Sequence, residues 1–146
     1  MKKLLGAALL AATALVTAGC GAMNPAATAS AEASAPLFVN LVTDDAHRAD
    51  MALTFSMNQF KLGHPLTVFL NDRAVAIAST ANSNQFAKHQ KMLTELAGKG
   101  ATVLVCPMCM KHFGVKPTDL LPGLKVGSPE VTGAALFRTG SHTMTW

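Results

Sequence analysis

The chain contains no tyrosine, only one tryptophan and few charged residues. Of its 146 residues, 5% are aromatic and 14% are charged. It has no cluster of basic residues and no aromatic stacking platform, so we expect no nucleic-acid partner. It also has no glycine-rich phosphate loop, because the "GKG" at 98–100 lacks the P-loop spacing. No Ser-His-Asp arrangement stands out either. These absences leave the sulfur-containing residues as the main candidates for chemistry.

The amino-terminal segment is typical of a bacterial secretory signal. Lys2 and Lys3 precede an apolar run at 4–16, and small residues follow before Cys20. The run is too short for a transmembrane helix. "VTAGC" resembles a lipobox, although Thr17 stands where that pattern usually has Leu. We therefore expect residues 1–19 to be a signal peptide of the lipoprotein type, with Cys20 acylated and the protein anchored to a membrane in the periplasm.

A low-complexity segment separates this signal from the folded part. Residues 20–36 are mostly Ala, Ser, Thr and Pro, a composition typical of a disordered tether. Removing residues 1–19 leaves ten Lys and Arg against eight Asp and Glu, so the mature protein is nearly neutral. Membrane attachment would then depend on the acyl chains of Cys20 and not on a basic surface. The remaining residues, 37–146, are enough for one domain.

Apolar, strand-like runs alternate with helix-like segments along this domain. The expected strands are 37–42, 65–71, 101–105, 123–127 and 142–146. One helix should follow a cap at Asp44 or Asp45 and end at Gly63, and a second should run from a cap at Ser83 to Gly98. A third should start at Ser128-Pro129.

Strands that alternate with helices predict an α/β fold with a mainly parallel five-stranded sheet covered on both faces. Ligands of such sheets bind beyond the carboxyl ends of the strands. In this chain those ends carry Thr43-Asp44-Asp45, Asn71-Asp72 and Cys106. The fold class therefore predicts that Cys106 lies where chemistry usually occurs.

Three stretches resemble the DsrE/DsrF-like family of sulfur-relay and related proteins. They are "CPMCMKHFGV", which begins at Cys106, "DLLPGLKV" and the terminal "TMTW". The similarity spans most of residues 37–146. It implies a three-layer α/β/α sandwich that assembles as a homotrimer or homohexamer, with a reactive cysteine at the position of Cys106. The chain has a second thiol and an export signal, both of which the cytoplasmic persulfide carriers of that family lack.

Cys106 and Cys109 form a C-x-x-C pair between a strand and an expected helix. Pro107 suits the first helical turn, so Cys106 should lie at the N-cap. There the helix dipole and free backbone N–H groups should stabilise a thiolate and lower the pKa of Cys106. Cys109 is three residues further on, so both sulfurs can lie on one face of the helix.

A thiol pair of this kind is compatible with three functions. As a sulfane-sulfur carrier, Cys106 would hold a persulfide that Cys109 could attack. As a redox pair, the two thiols would exchange with partner disulfides. As a soft-metal site, both thiolates with Met108, Met110 or His112 would suit Cu(I). Zinc is disfavoured, because the sequence offers no second pair of Cys or His ligands.

The resemblance favours sulfur or thiol transfer by a carrier, which needs no cofactor, and Cu(I) binding is the alternative. The sequence does not identify the protein or molecule that donates the sulfur or metal, nor the one that accepts it. Structural interpretations also stand: the cysteines could be buried or disulfide-bonded, and helical methionines are usually core residues. Several other residues have structural roles that explain them equally well. Caps and turns account for Asp44, Asp45, His47, Asp50 and Asp72, and an alternating strand accounts for His142 and Met144.

Overall fold

The computed structural model describes residues 35–146, which fold around one parallel β-sheet. The strands are β1 (Leu37–Leu41), β2 (Leu66–Leu70), β3 (Thr102–Val105), β4 (Lys125–Val126) and β5 (His142–Thr145). The helices are α1 (Ala46–Lys61), α2 (Ser83–Gly98), α3 (Pro107–Phe113) and α4 (Pro129–Leu136). Short 3₁₀ helices occupy Asp72–Ala78, Thr80–Asn82 and Pro117–Asp119. The expected signal, Cys20 and nearly all of the tether lie outside the described residues.

The strand order is β4-β3-β2-β1-β5, and every neighbouring pair is parallel. The connections from β1 to β4 step across the sheet in one direction, so their helices lie on one face. The connection from β4 to β5 returns in the opposite direction, which puts α4 on the other face. The prediction of an α/β sandwich with a parallel five-stranded sheet is therefore confirmed.

Alternation along the strands separates two apolar layers. The side chains on the α1 and α2 face are almost fully excluded from solvent and form the main core with both helices, among them Val39, Leu41, Val68, Leu70, Val103 and Val105. The opposite face carries Phe38 and Phe69, whose ring centroids are 6.2 Å apart, and Leu104. The helix α4 is only eight residues long, and none of its own residues is fully buried. This second face of the sheet is therefore covered less completely than the first.

Most helix ends follow the sequence prediction and one does not. Asp45 caps α1 by accepting from the backbone N–H of Arg48, and Ser128 caps α4 by accepting from Val131. For α2 the expected cap was wrong, because Ser83 is the first helical residue. The expected end was confirmed, because Gly98 is the last helical residue. The chain leaves α2 at Gly100, whose φ of 97° requires the left-handed region that glycine tolerates.

The segment between β2 and α2 contains the two 3₁₀ helices, which the sequence did not predict. Ala74, Val75, Ile77 and Ala78 in this segment are completely buried against the core. It therefore forms part of the wall beneath α3. No helix within residues 35–146 combines the length and the apolar character needed to cross a membrane.

Candidate functional site

Cys106 lies directly after β3 and is the N-cap residue of α3. Its backbone N–H donates to the carbonyl of Leu70 at 2.9 Å, which extends the sheet ladder by one bond. Pro107 then occupies the first helical turn, and the Cys106 sulfur accepts the backbone N–H of Cys109 at 3.5 Å. The side chain is partly exposed and no disulfide engages it. The predicted position of Cys106, at a carboxyl end of the sheet and at an N-cap, is the one that the structure has.

The Cys109 sulfur lies beside both the Cys106 sulfur and the start of the 3₁₀ segment at Asp72. Burial raises the pKa of the Cys109 thiol, and a hydrogen bond to the Cys106 sulfur raises that pKa further. The backbone N–H of Asp72 contacts the Cys109 sulfur and partly opposes the rise. Burial and the hydrogen bond to Cys106 both favour the protonated form of the Cys109 thiol.

Asp72 has an unusual backbone conformation at this contact. Its φ is 47°, and no other non-glycine residue among those described has a positive φ. Residues with a side chain tolerate this left-handed region poorly, although Asp and Asn do so better than most. Strained backbone is common at functional sites, where the surrounding structure holds it. Here the strained residue directs its N–H to a cysteine sulfur.

An open pocket adjoins Cys106 on the α4 face of the sheet. Its volume is about 220 Å³. Phe69, Met108, Gly127 and Thr132 line it together with Cys106, and the remaining lining residues are two prolines and a serine. Cys109 does not line it. We call this cavity the Cys106 pocket. A second cavity of about 210 Å³ lies beside Met110 and Lys111 and contains neither cysteine.

The three residues proposed to complete a copper site are not brought together. The side chain of Met108 is 80% exposed and lies at the rim of the Cys106 pocket. Met110 is only 3% exposed and packs in the main core. His112 is exposed and stacks edge-on against Phe113, with ring centroids 4.7 Å apart. Within residues 35–146 no group of three or more His, Cys, Asp or Glu side chains is arranged to hold a metal ion.

The other polar residues at the strand ends are held in structural contacts. Asp44 pairs with Arg73 at 2.9 Å, and the side-chain amide of Asn71 donates to the side-chain oxygen Oδ1 of Asn40 at 2.5 Å. Asp45 caps α1.

The carboxylate of Asp50 pairs with Lys88 at 2.5 Å and lies 3.7 Å from His89, and the hydrogen bond from Lys88 lowers the pKa of Asp50. His47 is exposed on the first turn of α1 and adds only a minor attraction to this carboxylate. His142 and Met144 line a different cavity with His64, at the β5 edge.

Sequence reasoning missed the pocket residues Phe69, Gly127 and Thr132. Phe69 was part of an expected strand, and Gly127 ended another. The glycine carried the one usable signal, since a glycine between a strand and a helix cap often marks a close approach. A Cβ at Gly127 would lie 3.0 Å from the Thr132 hydroxyl and 3.6 Å from the Phe69 ring.

The protein is thus an α/β protein with an open parallel sheet. Its candidate site is a cysteine thiol at a helix N-cap, beside a pocket at the carboxyl ends of the strands. The sequence is matched by the model of the DsrE/DsrF-like family over residues 37–139. Since that match covers well over half of its length, the chain belongs to this family.

Relatives agree with this assignment. An uncharacterized protein of Methanocaldococcus jannaschii is 30% identical over 82 residues, which is 56% of this chain and 72% of that protein. The fold is similar to a protein of unknown function from Methanobacterium thermoautotrophicum, with a TM-score of 0.65 and 18% identity, over 77% of this chain and 100% of the other. It is also similar to the ychN protein from E. coli, with a TM-score of 0.66 and 16% identity, over 77% and 99%.

Proposed function

We propose that this protein is a periplasmic carrier that accepts sulfane sulfur on Cys106 and passes it to an acceptor. The observation that carries the proposal is the environment of Cys106: a free, partly exposed sulfur that accepts a backbone N–H and opens onto a pocket. Hydrogen bonds to a thiolate favour its charged, nucleophilic form. Membership of the DsrE/DsrF-like family suggests a sulfur-relay type of protein and supports the same conclusion.

The uptake step is a simple displacement at sulfur. The Cys106 thiolate attacks the outer sulfur of a donor R–S–SH, a new bond forms between Cys106 and that sulfur, and the S–S bond of the donor breaks. The electron pair of the broken bond leaves with the donor as R–S⁻. Delivery is the same displacement by an acceptor thiolate on the outer sulfur of the Cys106 persulfide, which returns Cys106 as a thiolate. The cycle needs no cofactor and no external oxidant.

Cys109 controls how long the persulfide lasts. Its thiolate could attack Cys106, which would release hydrosulfide and leave a Cys106–Cys109 disulfide. Burial and the hydrogen bond to Cys106 raise the pKa of Cys109, so little of this thiolate exists near neutral pH. The protonated thiol therefore favours a carrier over a protein that discharges its sulfur as sulfide.

The location and assembly of the carrier are also proposals. The residues before the domain support export and attachment to a membrane through acylated Cys20. Intact-mass measurement of the membrane-extracted protein should then show acyl groups on Cys20, and a mature chain with unmodified Cys20 would contradict this. The resemblance also leads us to propose that the protein assembles as a homotrimer or homohexamer. Sedimentation of the protein would test this oligomeric state.

A sulfur-loading experiment tests the carrier directly. The full chain is reduced, treated with polysulfide, capped with an alkylating agent and digested with trypsin. Both cysteines fall in the peptide 100–111, whereas Cys20 falls in another, and fragmentation locates the added sulfur. We expect one sulfur on Cys106, none in Cys106→Ser, and a persistent gain in Cys109→Ser. Absence of sulfur on Cys106 in the native chain would refute the carrier.

One observation favours Cu(I) binding as a second candidate function. Met108 and Cys106 line the same pocket, so a thioether and a thiolate are available on one side of α3. Soft ligands of this kind select Cu(I). Cys109 contacts the Cys106 sulfur and could supply a second thiolate. The buried Met110 adds nothing to such a site without unfolding α3.

A further inference from the structure

The Cys106 pocket has a chemical character that the carrier function alone does not require. None of its eight lining residues is charged, and the ring of Phe69 and the side chain of Met108 provide apolar walls. Thr132 and a capping serine are the only hydroxyl groups. At about 220 Å³ the pocket is smaller than the range of roughly 300–1,000 Å³ typical of drug-sized ligands. It therefore fits a small group.

Gly127 lies where the walls of this pocket approach each other closely. Its φ is not in the left-handed region, so backbone conformation does not demand glycine there. A Cβ at this position would enter the space between Thr132 and Phe69, at 3.0 Å from the hydroxyl and 3.6 Å from the ring. A side chain at 127 would therefore crowd the wall of the pocket that contains Cys106.

The side chains that line the pocket offer no cation to an anionic ligand. Arg73, the residue after Asp72, is paired with Asp44 at 2.9 Å. Asp72, which contacts Cys109, adds negative charge close to the thiol pair. A carboxylate or sulfonate moved into this pocket loses hydration without gaining an ion pair from the lining side chains. An apolar group gains from the same transfer.

We propose that the Cys106 pocket selects sulfane-sulfur donors whose leaving group is small, uncharged and apolar, such as organic hydropersulfides. This inference rests on the proposed carrier function and specifies its substrate class. The apolar group occupies the space bounded by Phe69, Gly127 and Thr132, and the outer sulfur of the donor meets Cys106. The Cys106 thiolate takes that sulfur, the donor S–S bond breaks, and the apolar thiolate R–S⁻ leaves with the electron pair.

Two donors that undergo the same reaction test the selectivity. Benzyl hydropersulfide carries an apolar group, and glutathione hydropersulfide carries two carboxylates and an ammonium group. Rates of sulfur gain at Cys106 are measured for both with the full chain. The rate with the benzyl donor is divided by the rate with the glutathione donor, and this ratio is divided by the same ratio measured with the free thiol N-acetylcysteine amide. The second division corrects for the intrinsic reactivity of the donors and gives the corrected preference. We expect a corrected preference for the benzyl donor of about tenfold or more, the range that one apolar group gives in a pocket.

A matched pair of glycine variants tests the location. Gly127→Ala crowds the pocket and should reduce the corrected preference to within about twofold of the free thiol. Gly133→Ala adds the same methyl group on α4, where the added Cβ meets nothing within 4 Å, and should leave the preference unchanged. Thermal unfolding of both variants verifies that they are folded.

A charge variant provides a second test that does not depend on how Gly127→Ala packs. Met108→Lys places a cation at the rim, and because Met108 is 80% exposed the fold should tolerate it. It should raise the rate with the glutathione donor and lower the corrected preference. Met51→Lys, on a 52% exposed residue of α1, is the control.

The outcomes separate this inference from the carrier function. Sulfur gain at Cys106 from neither donor would refute the carrier and the selectivity together. Equal corrected rates for both donors, or a preference that survives both Gly127→Ala and Met108→Lys, would refute only the selectivity.

Discussion

The backbone N–H of Cys109 donates to the sulfur of Cys106 across 3.5 Å, while the side chains of the two cysteines face different surroundings. Cys106 opens onto an uncharged pocket, and Cys109 packs against the segment that begins at Asp72. Both thiols are partly exposed, and one helical turn separates the thiol that lines the pocket from the thiol that does not. This division of the C-x-x-C pair determines the behaviour expected of each cysteine.

The first prediction concerns the pH dependence of Cys109 alkylation. Burial, followed by the hydrogen bond to Cys106, raises the pKa of Cys109 above the ordinary cysteine value. Iodoacetamide should therefore modify Cys106 first as pH rises, and Cys109 only at higher pH, as followed by mass spectrometry of peptide 100–111. In Cys106→Ser the pKa of Cys109 should fall but remain raised, since burial is the larger cause. Equal alkylation profiles for the two cysteines would contradict this.

The same raised pKa affects stability at alkaline pH. A thiol whose pKa is higher in the folded chain stabilises the fold fully below its unfolded pKa, and this contribution is lost as pH rises through the folded pKa. The melting temperature should therefore decline above about pH 8.5, and less steeply in Cys109→Ala. Because the chain contains no tyrosine, no phenol titrates in this range, and thiolate absorbance can be measured directly.

The second prediction concerns the left-handed backbone at Asp72. Asp72→Asn keeps a residue that tolerates a φ of 47° and removes a negative charge that raises the pKa of Cys109. It should leave stability almost unchanged and move Cys109 alkylation to slightly lower pH. Asp72→Val places a β-branched residue in the left-handed region and should reduce the free energy of unfolding by about 1–2 kcal/mol. Denaturant unfolding measures both, and equal stability of the two variants would show that the conformation is not required.

Much of the fold and the position of Cys106 followed from local sequence patterns. Asp45 and Ser128 cap helices by accepting a backbone N–H three residues further along the chain, so a stretch of four residues is enough to predict their role. The apolar run before Cys106 identified β3, and Pro107 indicated that a helix follows. The general rule for parallel sheets then placed Cys106 at the functional edge.

The features that escaped prediction depend on contacts between distant segments. Phe69 and Gly127 meet only because the chain crosses from β4 over the second face of the sheet. The alanine-rich residues after Asp72 have no periodicity that distinguishes buried 3₁₀ turns from helix. Met108 lies four residues before His112, and Met110 lies four residues after Cys106, but such spacing does not say which side of α3 meets the core. The structure buries Met110 and exposes Met108.

The last prediction uses this difference between the two methionines to test the copper alternative. A Cu(I) ion bound to both thiolates could gain the Met108 thioether, which shares the Cys106 pocket, but not that of Met110, which is 3% exposed in the core. Cu(I) affinity of the reduced full chain is measured by competition with a chelator. If the protein binds Cu(I) at this site, Met108→Leu should weaken Cu(I) binding and Met110→Leu should not.

The two variants are matched controls for each other, because a Met to Leu exchange nearly conserves volume and costs less than about 1.5 kcal/mol even in a core. Met110→Leu should accordingly lower stability slightly, whereas the exposed Met108→Leu should not change it. Equal affinity in both variants and the native chain would show that copper, where it binds, uses the thiolates alone. Weaker binding in Met110→Leu alone would require the sulfur of Met110 to leave the core, and would contradict the orientation of α3 on which the sulfur-carrier proposal depends.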